Sequence, residues 1–226
     1  MGIKRYCALL LSGLLALALC GCGAGPVKGG AKTIAPAELT PEESALAQLL
    51  NVKLDGYRIF DFAVGKAGDG GVKSVQITLY ELKDGEWAPV SQNRRALSDS
   101  EGRIALGFSK IPEGVELTLQ GESMIGASSL EVQPGDSVST MTFATSVLTE
   151  SVSIEVDKEV PLVVQIATTK NEIRSYDVKY FEMPREYDKH DYEHVNAITA
   201  LFSEKSVFEL AESAAPEGDE IDVAGL

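Results

Sequence analysis

After Gly56 the chain is a series of short segments in which apolar and polar residues alternate, each followed by turn-forming residues. This alternation is typical of β-strands that bury one face. Strands are predicted at residues 57–64, 72–82, 87–90, 103–108, 115–119, 129–132, 139–145, 152–156, 160–168, 175–181 and 197–202. Because no long helical pattern separates them, the sequence predicts an all-β fold. An antiparallel β-sandwich fits this pattern, with either an immunoglobulin-like or a jelly-roll topology.

Glycine-containing clusters mark the turns between these strands. Residues 65–71 hold Gly65, Gly68, Gly70 and Gly71, and we expect them to close a hairpin between the first two strands. Residues 83–86, Lys-Asp-Gly-Glu, predict a second turn. Pro89 places the strand after that turn near a sheet edge, because proline cannot donate a ladder hydrogen bond.

One short helix is predicted before the strands. Thr40 is a candidate N-cap, Pro41 suits the first helical turn, and Glu43 completes a capping box. The apolar positions of this helix, Leu46, Leu49 and Leu50, lie at helical spacing, so we expect them to pack on the domain. A brief helix is also expected at residues 204–211.

The first residues have the pattern of an export signal. Lys4 and Arg5 precede an apolar run at residues 8–19, which is shorter than the roughly 20 residues that a membrane-spanning helix needs. Leu-Cys-Gly-Cys at residues 19–22 resembles the lipobox of bacterial lipoproteins. The resemblance implies cleavage after Gly21, then attachment of diacylglycerol and a further acyl chain such as palmitate to Cys22. The alternative, Cys20, would require cleavage after a bulky leucine.

The expected organisation follows from this reading. Residues 1–21 form the signal peptide, 22–39 a flexible tether, 40–203 the helix with one β-sandwich domain, and 204–226 an acidic, disordered tail. The protein would be anchored on the cell membrane, facing the extracytoplasmic side. With Cys7 and Cys20 removed and Cys22 acylated, no thiol is left for a disulfide, so the hydrophobic core alone must stabilise the domain.

The charge of the chain restricts its partners. The formal net charge of −14 becomes −16 when Lys4 and Arg5 leave with the signal peptide. Such an acidic surface disfavours nucleic acid, whose phosphates are bound by clusters of lysine and arginine. It favours cations and basic partners.

A second resemblance concerns residues 98–115. Asp99 and Gly102, a following strand, and then Ile111-Pro112-Glu113-Gly114 resemble the turn, strand and turn pattern of transthyretin-like and collagen-adhesin B-type repeat domains. The resemblance implies a sandwich fold and no particular function. Ile104 stands where those repeats usually have an aromatic residue.

The densest polar cluster, residues 185–194, holds both histidines and predicts a metal site. Their spacing matches no specific metal-binding motif. Asp188, His190, Glu193 and His194 are its candidate ligands for a divalent cation. In a helix the two histidines would share one face, whereas in a strand Asp188, His190, Tyr192 and His194 would line one side. A third interpretation is a solvated loop leading into the last strand, with no metal bound.

Aromatic residues suggest a different kind of site. Trp87, Tyr187 and Tyr192 are candidates for stacking on a ligand such as a sugar ring, provided that they are exposed together. No catalytic residue is identified, because no pair of carboxylates or nucleophile motif is evident. We therefore expect a non-catalytic binding or adhesion module for a protein or a glycan, with no resident cofactor. The alternative is a metal-dependent enzyme or metal-binding factor centred on His190 and His194.

Overall fold

The computed structural model of the chain describes residues 32–49, 56–68, 70–132 and 140–214. The predictions of a signal peptide and of acylation at Cys22 lie outside these residues. So do Leu50 of the predicted helix and the last part of the acidic tail. Among the described helices, none is long and apolar enough to cross a membrane.

Most of the described residues form β-strands, as the alternating pattern predicts. The strands are β1 Thr33–Pro36, β2 Tyr57–Ala63, β3 Ser74–Lys83, β4 Glu86–Ala96, β5 Glu101–Gly107, β6 Val115–Gln120, β7 Ile125–Leu130, β8 Thr142–Val147, β9 Val152–Ser153, β10 Glu159–Thr168 and β11 His194–Ser203. The α-helices are α1 Pro41–Leu49, α2 Arg185–Asp188 and α3 Val207–Ala214. Single 3₁₀ turns occur at Ile111–Glu113 and Val178–Glu182.

The strands form two antiparallel sheets that pack face to face. A six-stranded sheet has the order β7-β6-β5-β2-β1-β9, and a five-stranded sheet has the order β4-β3-β11-β10-β8. The described part of the chain is thus a β-sandwich, which confirms the predicted fold class. Each sheet contains strands from both halves of the sequence.

The core fills the space between the sheets. Phe62 of β2 and Phe202 of β11 meet there with ring centroids 5.3 Å apart, and Ile34, Leu79 and Ile104 are completely buried. Burial of apolar surface at roughly 25 cal/mol per Å² is the main stabilising contribution to such a core.

Gln165 is a buried polar residue that links the two sheets. It lies on β10 and is only 1% exposed. Its Oε1 accepts a hydrogen bond from the Ile111 amide at 2.7 Å, while its Nε2 donates to the Ser109 carbonyl at 3.3 Å and to Thr145 Oγ1 at 2.9 Å. Ser109 and Ile111 belong to the β5–β6 connection of the opposite sheet. The side chain therefore satisfies an amide that water does not reach.

The outer face of the five-stranded sheet is covered by a third layer. The chain between β10 and β11, residues 169–193, contains a 3₁₀ turn and α2 and packs across this face. Val178 and Tyr187 of the layer are buried, and the Phe181 ring lies 5.7 Å from that of Tyr80 on β3. The strand predicted at residues 175–181 is therefore wrong. Asp177 instead caps the 3₁₀ turn by accepting a hydrogen bond from the Lys179 amide at 3.0 Å.

Helix α1 confirms the predicted capping box but not the predicted packing. The Thr40 amide donates to Glu43 Oε2 at 2.8 Å, and the Glu43 amide donates to Thr40 Oγ1 at 3.1 Å. Leu46 and Leu49, however, are 55% and 81% exposed. The helix is held on the six-stranded sheet by an ion pair between Glu43 and Arg103 at 2.7 Å. Helical spacing of leucines does not by itself bury them when a polar contact fixes the helix.

The hairpin predicted at residues 65–71 is wrong, because β2 and β3 belong to different sheets. Val64 and Val72, which flank the glycines, are both completely buried. The segment between them, in which Gly65, Lys66 and Gly70 are exposed, therefore connects one sheet to the other. The turn predicted at residues 83–86 is confirmed: Asp84 and Gly85 have φ values of 52° and 76°, as a type I′ hairpin turn requires. Strand β4 lies at a sheet edge, as Pro89 predicts.

The folded region extends beyond both predicted boundaries. Thr33–Pro36, at the end of the predicted tether, forms β1 between β2 and β9, because Ile34 enters the core. At the other end Val207–Ala214 forms α3, with Leu210 buried. Five strands also differ clearly in their limits from the prediction: β4 is longer, β7 and β11 begin earlier, β8 is shifted towards the C-terminus and β9 is shorter.

Replacing Gln165 with leucine should lower the free energy of unfolding by about 1–3 kcal/mol, because the Ile111 amide would lose its acceptor inside the protein. Thr145→Val, which removes one acceptor from Gln165 and leaves that amide paired, should have a smaller effect. Urea denaturation of both variants measures the difference. Equal losses of unfolding free energy in the two variants would show that the hydrogen bond to the Ile111 amide contributes no more than the one to Thr145.

Candidate binding cleft

The two histidines do not form a pair in the structure. His190 follows α2 and packs between two tyrosines, with its ring centroid 6.2 Å from that of Tyr176 and 5.5 Å from that of Tyr192. His194 begins β11, and its Nδ1 lies 3.5 Å from Glu81 Oε1. Neither a shared helical face nor a shared strand face brings them together. His190 lies in the loop that leads into the last strand, and His194 is the first residue of that strand.

The two acidic candidates have separate partners as well. The Asp188 carboxylate lies beside Gly85 in the β3–β4 turn. Glu193 accepts hydrogen bonds from the Thr169 amide, at 3.1 Å, and from the Thr169 hydroxyl. Hydrogen bonds from the Thr168 and Thr169 side chains lower the pKa of Glu193 to about 2. Among the described residues, no three His, Cys, Asp or Glu side chains are grouped to hold a metal ion.

The predicted stacking residues are packed against protein. Trp87 stacks on Phe181, with ring centroids 5.0 Å apart and planes at 18°, and its Nε1 donates to the Phe181 carbonyl at 2.8 Å. Tyr187 is 0% exposed, so the prediction that it stacks on a ligand is wrong. Tyr192 is partly exposed, and its hydroxyl accepts a hydrogen bond from the Arg174 amide at 3.1 Å. The aromatic cluster stabilises the third layer and does not form an exposed platform.

A cleft of about 410 Å³ opens at one end of the sandwich. One wall is the β8–β9 connection, a second is the start of β10, and the third is the 3₁₀ turn of the third layer. Its apolar lining includes Leu148, Val160 and Val178, all less than a tenth exposed. Its charged lining consists of five carboxylates and two lysines: Glu150, Glu155, Glu159, Asp177, Glu182, Lys158 and Lys179. The cleft therefore combines an apolar interior with a negatively charged rim.

Both lysines of the cleft are already paired. Lys158 contacts Glu155 at 3.1 Å and Lys179 contacts Asp177 at 3.8 Å. Of the other lining carboxylates, Glu150 and Glu182 form no ion pair among the described residues, and Glu159 accepts hydrogen bonds from two hydroxyl groups. A cationic group entering the cleft would meet these charges next to apolar surface, where electrostatic interactions are stronger than in bulk water.

Glu159 is fixed in position from the sheet side. Tyr80 Oη and Thr199 Oγ1 donate to the same carboxylate oxygen, Oε1, at 2.7 Å and 3.0 Å. Both donors lie on the outer face of the five-stranded sheet, under the third layer. Desolvation, and then the hydrogen bond to Glu159, raise the pKa of the Tyr80 hydroxyl, so it stays protonated as a donor.

The sequence held little signal for this cleft. Its charged residues come from two separate parts of the chain, residues 150–159 and 177–182, and Tyr80 of β3 donates a hydrogen bond to one of them, Glu159. Glutamate within a strand usually marks a solvated face, so Glu159 was not distinguishable from the other acidic residues. Pro161, which interrupts β10 at a register shift opposite β11, is a local irregularity near the site.

Two other hollows are present in the described residues. A groove of about 780 Å³ runs along Tyr57, Phe108 and Glu116 at one end of the six-stranded sheet. A hollow of about 430 Å³ is lined by Asp84, Asp188 and other residues at the β3–β4 turn. In the groove the Tyr57 hydroxyl donates to Glu116 at 3.2 Å, so part of its polar lining is already paired.

Comparison with known proteins gives no relative of this chain. No protein-family model, no curated protein and no solved structure matches it. The lipobox and the repeat-domain resemblances therefore stay predictions.

Thermal stability should fall as the pH rises through the alkaline range. The raised pKa of Tyr80 means that its stabilising contribution is complete below its unfolded value of about 10 and is lost above it. Tyr80→Phe removes the titrating group, so the loss of melting temperature between about pH 9 and pH 11 should be smaller than in the wild type.

Thr199→Val is the matched control for this measurement. It removes the other donor to Glu159 without removing a titrating group. We expect it to lower the melting temperature by a similar amount at every pH. If the melting temperature of Tyr80→Phe fell with pH as steeply as that of the wild type, Tyr80 would not be the group whose titration lowers stability.

Proposed function

We propose that this chain is a membrane-anchored extracytoplasmic lipoprotein whose β-sandwich binds a protein partner without catalysing a reaction. The observation that carries the binding part is the cleft, which has buried apolar walls and carboxylates at its rim. Lysine and arginine side chains have the complementary form, an aliphatic stem with a cationic end. A basic surface segment of another protein therefore fits this cleft better than a neutral ligand does.

The N-terminal sequence supports the anchoring part. Gly21 and Cys22 follow an apolar run of export-signal length. Diacylglycerol and an additional acyl chain on Cys22 would hold the protein at the membrane, since one chain alone binds only marginally. A folded domain that starts at Thr33 would then remain close to the bilayer, because about ten residues separate it from Cys22 and each spans at most about 3.6 Å.

A protein partner is favoured over a glycan. Sugar recognition by stacking needs exposed aromatic faces, whereas Trp87 stacks on Phe181 and Tyr187 is buried. The acidic rim and the net charge of −14 favour a cationic partner. A glycan remains an outcome of the binding test below.

Cys22→Ser should abolish incorporation of a labelled fatty acid when the full chain is expressed in a bacterial host. Cys20→Ser is the matched control and should be labelled like the wild type. Gel fluorescence after feeding an alkyne-modified palmitate measures the result. Labelling that is lost with Cys20→Ser and kept with Cys22→Ser would refute this anchor site.

Tetralysine should bind the full chain, and Glu150→Gln with Glu182→Gln should weaken that binding at least fivefold, which is about 1 kcal/mol. Glu101→Gln with Glu122→Gln removes the same charge from the exposed surface of the six-stranded sheet and should change the affinity less than twofold. Isothermal titration calorimetry at about 0.15 M salt measures both. Tetra-N-acetylglucosamine serves as the glycan probe.

Equal losses in the two double variants would mean that tetralysine senses only the net charge, and they would overturn the cleft as the binding site. Binding of the glycan in place of tetralysine would assign the module to carbohydrate. Neither result affects the acylation experiment, which tests the anchor at Cys22 and does not depend on the ligand.

A further inference from the structure

We propose that β8 is a docking edge, to which an extended basic segment of a partner protein adds as a further strand of the five-stranded sheet. This inference rests on the proposed binding function and specifies how the partner is held. Its physical basis is the row of backbone groups on the free side of β8. The cleft then determines the charge of the segment.

The free side of β8 can be assigned from one hydrogen bond. The Leu148 amide donates to the Leu162 carbonyl at 2.8 Å, so it faces β10. Backbone groups alternate in direction along a strand, which turns those of Phe143, Thr145 and Val147 away from β10. None of these three takes part in a backbone hydrogen bond with another turn or loop among the described residues. They form a ready template for an incoming strand.

The other described edges carry protection that β8 lacks. Strand β4 contains Pro89 together with Glu86, Arg94 and Arg95. Strand β9 is only two residues long. Strand β7 lies against β4. Exposed edges are normally blunted by proline, by charge or by shortness, whereas β8, Thr-Phe-Ala-Thr-Ser-Val, has six residues with no proline and no charge.

Three segments could pair with this edge: a second copy of the chain, the chain's own C-terminal residues, or a segment of another protein. The negative charge of the neighbouring cleft favours the third. A second copy of the chain would bring another net charge of −14 to the interface, and residues 215–226 carry Glu217, Asp219, Glu220 and Asp222 with no basic residue. Both would be repelled by an acidic cleft. A basic segment from another protein would be attracted.

The position of the cleft supports the same choice. Strand β8 ends at Val147, and the residues that follow it directly, Leu148, Thr149 and Glu150, line the cleft. A strand paired with β8 would therefore continue past the cleft opening. A lysine or arginine at that end of the segment would lie next to Glu150, while the backbone bonds along Phe143, Thr145 and Val147 supply affinity. This is the general mode of β-strand addition, with side-chain specificity from a neighbouring pocket.

The test uses the full chain in detergent and the alternating peptide Lys-Val-Lys-Val-Lys-Val-Lys, with Glu-Val-Glu-Val-Glu-Val-Glu as the charge control. The basic peptide should slow hydrogen–deuterium exchange in residues 142–148, and the acidic peptide should not. Val147→Pro removes an outward amide without removing a bond to β10, and it should weaken binding of the basic peptide about tenfold. Val147→Ala loses the same side chain but keeps the amide, and its affinity should stay within about twofold of the wild type.

Five results would overturn the proposal. Residues 142–148 of the free wild-type chain could exchange slowly, which would mean that another part of this chain already covers the edge. The peptide could bind without protecting these residues, or Val147→Pro and Val147→Ala could weaken binding equally. Sedimentation could show a dimer that Val147→Pro dissociates, which would assign the edge to a second copy. Protection of the cleft residues alone, with tetralysine binding intact, would refute the edge and leave the proposed function standing.

Discussion

The burial of β3, β10 and β11 on both faces determines how the rest of the chain is arranged. One face of these strands meets the six-stranded sheet, and the other must be covered, because it carries both apolar residues and polar residues such as Thr78 and Thr199 that water does not reach. The third layer supplies that cover. Glu159 satisfies Thr199 and Tyr80 there, and the place where the layer ends above the start of β10 is the place where the cleft opens. The candidate site therefore lies where the third layer stops covering this face.

The strand pattern was sufficient for the fold class and insufficient for the topology. Alternation reports that a segment buries one face, but it does not report which partner it pairs with. The glycine-rich segment at residues 65–71 illustrates this, since it connects strands of two different sheets and does not turn back along the same sheet. Aromatic alternation at residues 175–181 likewise imitates a strand, because a layer that lies flat on a sheet also presents aromatic rings to it. Local capping signals were more reliable, as Thr40 with Glu43 and the Asp84-Gly85 turn demonstrate.

The site was less predictable than the fold for a physical reason. Sequence reasoning selected the residues that are unusual in type, the two histidines and the tryptophan, and the fold uses them for packing. The cleft instead depends on common residues whose importance comes from where they meet: an acidic side chain held by two hydroxyl donors, and leucine and valine at the walls. Only long-range pairing brings residues 150 and 182 to one opening, and a single sequence carries no information about such pairing.

The position of β1 has a mechanical consequence. This four-residue strand is hydrogen-bonded to β2 on one side and to β9 on the other, with Ile34 in the core. If the protein is anchored through Cys22, as proposed, a pull on the N-terminus reaches the domain through β1 first. The load is then divided between two neighbouring strands and resisted by a buried side chain, because β1 lies inside the sheet and not at its edge.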